Sequence, residues 1–203
     1  MIFLKDLILK YLGYRNVEPD SKTLKLIDEC ILEVKSLAKF KYIYQEYNEP
    51  LPFLLKNESY MKYLSGAFSY LLVGTTLGVD IDRRLSLYEK TDMTKGLVFD
   101  ACASAYLEYL ADNYEDANLK KPHTFRFCPG YSGTSFLDNM EIAKYLDVRK
   151  YLGINFLASG LMVPLKSMIG IVAIGNDARR SCNGCIRMGK CENRKDGTVC
   201  YKE

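Results

Sequence analysis

The sequence predicts an α+β protein in which helices pack on a twisted mixed or antiparallel sheet. Several segments repeat apolar residues every three to four positions, as amphipathic helices do. Others are short runs rich in β-branched and aromatic residues, as strands are. The two kinds of segment do not alternate regularly, which argues against a parallel βαβ sheet. The chain has 203 residues, 48% of them hydrophobic, which suffices for one sizeable core.

The helices follow from apolar spacing and from capping residues. The start of the chain, 1–10, predicts a short amphipathic helix. Asp20 or Ser21 is expected to cap a long helix that extends to about residue 38. A further helix is predicted over 79–89. Asp92 should cap a third long helix, in which the small residues 101–105 allow another element to pack closely, and one more helix is predicted from Asp138 or Asn139 to Leu146.

The strands are predicted at apolar or alternating runs between turn residues. Pro50 and Pro52 interrupt the chain after the first strand, so the next short run is assigned to a sheet edge. The predicted strands are 41–47, 53–55, 68–73, 125–133 with its turn, 153–157 and 168–174.

Two sets of helix residues are assigned by their spacing and type. Glu108, Asp112, Glu115 and Asp116 are expected to form a solvated helix face, while Cys30 and Cys102 are assigned to the core.

Charge is unevenly distributed along the chain. The net charge is +3, yet residues 179–203 contain seven Lys/Arg and three acids, so they carry +4 and residues 1–178 carry −1. Since the larger part has no basic excess, nucleic-acid binding is not expected. No apolar run approaches the ~20 residues that cross a bilayer, and charged residues interrupt the apolar start, unlike in a signal peptide. We therefore expect a cytoplasmic protein without membrane contact.

Four of the seven cysteines lie in the C-terminal tail 179–203, which we treat as separate from a domain formed by residues 1–178. The tail has too few apolar residues to order itself by burial. Four thiolates can complete a tetrahedral zinc site or hold an iron–sulfur cluster, although the spacing matches neither a zinc ribbon nor a ferredoxin motif. An unmetallated basic tail is the alternative. The candidate metal ligands are Cys182, Cys185, Cys191 and Cys200.

The candidate binding site is the turn that begins at Arg126. A proline at 129 and Gly130 make a tight turn whose backbone can approach a ligand closely. The guanidinium of Arg126 suits a carboxylate or a phosphate, and Tyr131 is expected to be exposed. Cys128 is expected to contribute its backbone position rather than a reactive thiol. Taken alone, the pattern is also that of an ordinary surface turn.

Three stretches, in order, resemble the activation domain of cobalamin-dependent methionine synthase. They are the long helix 92–110, the Arg-x-x-Pro-Gly-Tyr motif at 126–131, and the segment 146–167. The motif is the most specific of the three. The resemblance covers roughly residues 75–175, and it implies an α+β fold like that of this domain.

The resemblance also implies a function. Members of that family bind S-adenosylmethionine in a shallow groove. The methyl group of this ligand is transferred to cobalamin in the inactive Co(II) state, and a reductant supplies the one electron that the transfer requires. By this resemblance Arg126 would hold the methionine carboxylate, the backbone at Cys128 and Gly130 would line the ligand, and Tyr131 would face the ligand and the corrin. The partners would be a cobalamin-binding methionine synthase module, or a related corrinoid protein, and an electron donor.

A second hypothesis belongs to another class of protein. The chain could be a non-enzymatic module. Its tail, held in shape by zinc or an iron–sulfur cluster, would then bind a corrinoid protein or another partner protein. Whether the chain is itself an enzyme stays open, although it would be a component of a methyltransferase activity under the first hypothesis. His123 is the only histidine, which argues against a histidine-based metal site or a Ser-His-Asp triad.

Overall fold

The structure is a computed structural model that describes residues 2–14, 17–131 and 133–175. These residues form seven α-helices, five β-strands and one 3-10 helix. The helices are α1 (Ile2–Tyr11), α2 (Ser21–Leu37), α3 (Glu58–Tyr63), α4 (Val79–Thr91), α5 (Met93–Asn118), α6 (Asp138–Leu146) and α7 (Val148–Leu152). The strands are β1 (Lys41–Tyr47), β2 (Ser69–Thr76), β3 (Asn155–Phe156), β4 (Met162–Val163) and β5 (Ser167–Ile174), and the 3-10 helix is Leu54–Lys56.

The main sheet has three strands in the order β1-β2-β5, and neighbouring strands run in opposite directions. β2 is buried along its whole length, as is expected of a strand with a neighbour on each side. β3 and β4 form a separate antiparallel ribbon. The hydrogen-bonded pairs that show the strand directions are Leu77–Lys166 and Phe68–Ile174 for β2 and β5, and Thr75–Lys41 and Ser69–Glu46 for β1 and β2.

The two long helices begin at the caps that the sequence predicts. The side chain of Asp20 accepts the backbone N–H of Thr23 at 2.8 Å at the start of α2. The side chain of Asp92 likewise accepts the N–H of Lys95 at 2.9 Å at the start of α5. Each carboxylate satisfies one of the N–H groups that a helix start leaves without an intrahelical partner.

The chain divides into two compact units. The first unit comprises residues 1–42, 75–117 and 149–168. Its core is one cluster of buried side chains from α1, α2, α4 and α5, each of which presents an apolar face, and from the link between β2 and α4. The largest fully buried members are Ile8, Ile27, Leu77, Ile81 and Phe99.

The second unit comprises residues 43–74, 118–148 and 169–203, and the structure describes it up to residue 175, apart from position 132. Its buried side chains come mainly from β2, β5, α3, α6 and the 3-10 helix. The largest fully buried members are Leu54, Tyr60, Leu72, Ile142, Ile169 and Ile171.

The α+β class with an antiparallel sheet is confirmed, and so are most element positions. The predicted edge strand 53–55 is wrong, since a 3-10 helix occupies 54–56. The strand predicted at 125–133 is reduced to one isolated bridge at Phe127, with a second at His123 just before it, and that at 153–157 to the two residues of β3. The sequence analysis also missed α3, α7 and β4. The predicted boundary after residue 178 lies outside the described residues.

One predicted surface position is in the core. Glu115 is 1% exposed, although the sequence predicts it on a solvated helix face with three other acids. Its carboxylate accepts a hydrogen bond from the hydroxyl of Tyr42 at 2.5 Å, and Tyr42 stacks on Tyr114 with ring centroids 4.3 Å apart.

Within the described residues, no helix is long and apolar enough to span a bilayer.

Candidate functional site

The segment that carries the candidate site follows β5 in the antiparallel direction. His123 pairs with Ile174, and Phe127 pairs with Ile171. Phe127 and Ile171 exchange both backbone hydrogen bonds, at 2.8 and 2.9 Å. The two pairs are four residues apart on this segment but only three apart on β5, so the segment bulges by one residue, and residues 124–126 are held between the two pairs.

Gly170 lets the segment approach β5 very closely. A Cβ at this position would lie 3.1 Å from the carbonyl oxygen of Phe127 and 3.3 Å from the Sγ of Cys128. Both distances are shorter than ordinary contacts, and the nearer atom belongs to the backbone. Cys128 is therefore partly buried against β5.

Two tyrosines of α3 support the ring of Phe127. The ring centroid of Tyr63 lies 4.9 Å from that of Phe127, and the centroid of Tyr60 lies 5.6 Å away. The hydroxyl of Tyr63 also hydrogen-bonds with Thr124, Phe125 and, at 3.1 Å, the carbonyl of Ile171. One side chain thus joins the segment to β5 at a point where backbone pairing is incomplete.

The hydroxyl of Tyr60 extends this support to α6. Tyr60 is fully buried, and it donates to the carboxylate of Asp138, in the first turn of α6, at 2.8 Å. Burial and this hydrogen bond raise the pKa of Tyr60 well above its usual range. Tyr60 therefore stays protonated and keeps donating at all physiological pH values.

A single hydroxyl closes the turn after Pro129. Thr134 is buried, and its Oγ1 accepts the N–H of Gly130 at 3.1 Å and donates to the carbonyl of Tyr131 at 2.6 Å. The backbone N–H of Thr134 also donates to Tyr131, at 3.0 Å. Gly130 has φ +97°, a conformation that glycine adopts at little cost. The predicted role of this glycine in a tight turn is thus confirmed.

The predicted site residues differ in their exposure. Tyr131 is 64% exposed, at the tip of the closed turn. Arg126 is partly buried, with its Nε and Nη1 atoms shielded from solvent, and it already takes part in an interaction. Gly130 is exposed, whereas Pro129 is buried and anchors the turn. The turn thus presents a bare backbone and an aromatic ring at the surface, whereas the cation at its start is mostly covered.

Sequence reasoning missed the residues that hold this turn in place. Tyr60, Tyr63 and Thr134 have no motif of their own, and α3 was not predicted at all. Asn57 was also missed, although its side-chain amide donates to the carbonyl of Gly133 at 3.2 Å. Its position before Ser59, whose N–H it accepts at 2.9 Å, is an N-cap signal that would have located α3.

A polar cluster in the first unit includes residues from two of the stretches named in the sequence analysis. Lys166 donates to Asp100 at 2.7 Å and to Ser104 at 2.8 Å, and its side chain is 12% exposed. Asp82 accepts the N–H of Leu165 at 2.7 Å, and burial raises its pKa. The cluster connects α4 and α5 to the start of β5, and we assign it a structural role.

No metal site is found in the part of the chain that the structure describes, where no group of three or more His, Cys, Asp or Glu residues is suitably arranged. The predicted ligands Cys182, Cys185, Cys191 and Cys200 lie outside the described residues. The zinc or iron–sulfur site therefore stays a prediction.

Comparisons with known proteins leave the family open. No family model and no curated protein matches the chain. Among solved structures, it is similar to the MetH reactivation domain bound to AdoHcy, with 20% sequence identity and a TM-score of 0.42. The match covers 64% of this chain and 47% of the other, so the chain spans about half the length of that structure. At this level the likeness establishes neither family membership nor function.

Proposed function

We propose that the chain binds S-adenosylmethionine at the turn 126–131 and assists the reductive methylation of cob(II)alamin on a methionine synthase or a related corrinoid methyltransferase. The observation that carries the proposal is the turn itself: Thr134 holds it closed, and it displays Gly130 and Tyr131 at the surface. The Arg-x-x-Pro-Gly-Tyr motif at these positions, which resembles that of the activation domain, supports the choice of ligand.

Each residue of the turn has a binding role that its chemistry suits. The guanidinium of Arg126 is a planar donor group that suits the carboxylate of the methionine moiety, and binding would require its shielded Nε and Nη1 atoms to turn towards the ligand. Gly130 has no side chain, so its backbone can contact the ligand directly. The exposed ring of Tyr131 offers a flat apolar surface to the ligand and to the corrin of the partner.

In this proposal the chain contributes position rather than chemistry. Bound S-adenosylmethionine supplies the methyl group, the partner supplies the cobalt, and a separate donor supplies the electron. The chain holds the ligand at the surface, where a partner can reach it. A rigid turn suits this task, because a small displacement of bound reactants slows a transfer reaction strongly.

Titration calorimetry with S-adenosylmethionine tests the binding step. Arg126→Lys keeps the positive charge but removes the planar pair of N–H donors. We therefore expect the affinity for S-adenosylmethionine to be at least about tenfold weaker. Arg149→Lys, at an exposed position in α7, is the matched control and should bind as wild type does. Absence of binding to the wild-type chain, with and without a corrinoid protein, would overturn the proposal.

A second pair of variants tests the exposed ring. Tyr131→Ala should weaken binding, while Tyr44→Ala, which removes another exposed tyrosine in β1, should not. Thermal melts of both variants check that each is folded. Equal affinities for the two variants would exclude Tyr131 from the site.

The assistance step needs its own experiment. A corrinoid protein loaded with cob(II)alamin is mixed with S-adenosylmethionine and a one-electron reductant, and methylcobalamin is followed by visible absorption. The chain should accelerate its formation, and Arg126→Lys should accelerate it less. If the chain binds S-adenosylmethionine but does not change this rate, the binding step of the proposal stands and the role in reductive methylation is wrong.

A further inference from the structure

Two cysteines away from the candidate site lie together in the core of the first unit. Cys30 is on α2 and Cys102 is on α5, and both are free thiols with exposures of 0% and 1%. The Sγ of Cys102 lies 3.9 Å from the carbonyl oxygen of Ile27. Ile27 precedes Cys30 by three residues, so the two lie on the same face of α2. Cys102 therefore contacts the face of α2 that carries Cys30.

The contact with Ile27 also shows that the two helix backbones are close. A cysteine side chain is short, so its sulfur can touch a main-chain oxygen of α2 only where α5 approaches α2 closely. Disulfides join residues whose Cα atoms are about 4.4–6.8 Å apart. Ala105 lies three residues after Cys102 on the same face of α5, and as a small buried residue it leaves room for such an approach.

The two thiols interact directly, and the interaction makes them unequal. A hydrogen bond from Cys102 lowers the pKa of Cys30, and the nearby charge of Lys95 lowers it further. The same pairing, together with burial, raises the pKa of Cys102. Cys30 is therefore the thiol that ionises first, and a thiolate is the reactive form of cysteine in disulfide exchange.

From this geometry we infer that Cys30 and Cys102 form a disulfide bond when the chain meets a low-molecular-weight disulfide such as glutathione disulfide. The Cys30 thiolate attacks one sulfur of the oxidant and releases one thiol. The Cys102 thiolate then attacks the Cys30 sulfur of the mixed disulfide and releases the second thiol. The two cysteines lose two electrons and two protons in total, and the oxidant is reduced to two thiols.

The disulfide bond would link α2 covalently to α5 and close a loop of about 70 residues. Such a loop restricts the unfolded chain strongly, so the oxidised protein should unfold at a temperature higher by roughly 5–10 °C. Because both thiols are buried, the reaction needs transient opening of the helix packing. Its rate should therefore rise in urea concentrations that leave the protein folded.

Peptide mapping of the full chain tests the inference. Folded protein is incubated with glutathione disulfide, remaining thiols are alkylated at low pH, and the chain is cut with trypsin without reduction. Each cysteine of the pair lies alone in its tryptic peptide, 26–35 or 96–120. We expect a species with the mass of these two peptides less two hydrogens, which disappears on reduction.

Variants separate this pair from the other cysteines. Cys30→Ala should abolish both the linked peptide and the rise in melting temperature, whereas Cys128→Ala should retain both. The mapping of the wild-type chain decides the matter even if Cys30→Ala does not fold. Recovery of alkylated Cys30 and Cys102 from oxidised protein, or linkage that forms only after full unfolding, would overturn the inference.

Discussion

Thr134 shows how much the candidate site depends on a single hydroxyl. Thr134→Val keeps the shape of the side chain but removes the acceptor for Gly130 and the donor for Tyr131. We expect a loss of about 1 kcal/mol in the free energy of unfolding and a weaker affinity for S-adenosylmethionine, because the turn loses its closure. Urea denaturation and calorimetry measure the two effects.

Thr134→Ser is the matched control, because it keeps the hydroxyl and removes only a methyl group. It should retain most of the affinity that Thr134→Val loses. If the two variants bind equally, the hydroxyl does not hold the turn in its binding conformation.

Tyr70 makes the stability of the protein sensitive to alkaline pH. Its side chain is 3% exposed, and its hydroxyl accepts the N–H of Leu51 and donates to the carbonyl of Glu49, both at 3.0 Å. Burial raises the pKa of Tyr70 to about 12. The folded protein therefore holds this proton more tightly than the unfolded chain, where the pKa of tyrosine is about 10.

The sign of the effect follows from this difference. The contribution of Tyr70 is complete below pH 10, and it falls as the pH rises from about 10 to about 12. Tyr70→Phe should remove this part of the pH dependence. The free energy of unfolding of the wild-type protein should therefore fall by about 2 kcal/mol more than that of the variant between pH 10 and pH 12. Denaturation curves at several pH values check it, and parallel pH profiles would contradict it.

At the scale of elements, the packing of the site segment on β5 depends on Gly170. Gly170→Ala would place a Cβ 3.1 Å from the carbonyl of Phe127, and a backbone atom can yield only if the segment shifts. We expect a loss of about 1–3 kcal/mol in stability, as for overpacking elsewhere, together with weaker ligand binding. Thermal unfolding and calorimetry measure these changes.

Gly96→Ala is the control for this substitution, because Gly96 lies in α5 and its nearest neighbours would be at ordinary contact distances of 3.4–3.6 Å. Alanine favours a helix over glycine by about 1 kcal/mol, so this variant should be neutral or stabilised. Equal destabilisation by both variants would show that the close approach at Gly170 is not the cause.

At the scale of the whole molecule, the prediction that remains concerns metal in the tail. We expect protein purified without oxygen to contain iron with visible absorption, or else zinc, held by Cys182, Cys185, Cys191 and Cys200. Cys182→Ser should reduce the metal content, and Cys128→Ser should not. Elemental analysis decides between the metals, and a wild-type protein without either would leave the tail unmetallated.

Particular elements show where prediction from sequence succeeds. The two long helices have capping aspartates and a regular apolar period, and both are local properties, so the sequence places α2 and α5 within a few residues. It places β1 at its observed bounds, since the alternating tyrosines of this strand are also a local signal. The 3-10 helix at 54–56 carries the same apolar residues as a strand, and composition alone could not distinguish the two.

The sequence by itself determined the α+β class, the caps of the long helices and the glycine-bearing turn, because chain neighbours alone decide capping, periodicity and turn chemistry. Only the tertiary structure decided that Tyr63 ties the site segment to β5 and that Cys30 meets Cys102. It also decided that Glu115 is buried against Tyr42. These contacts join residues between 61 and 108 positions apart, and no local pattern records which distant side chains meet when the elements pack.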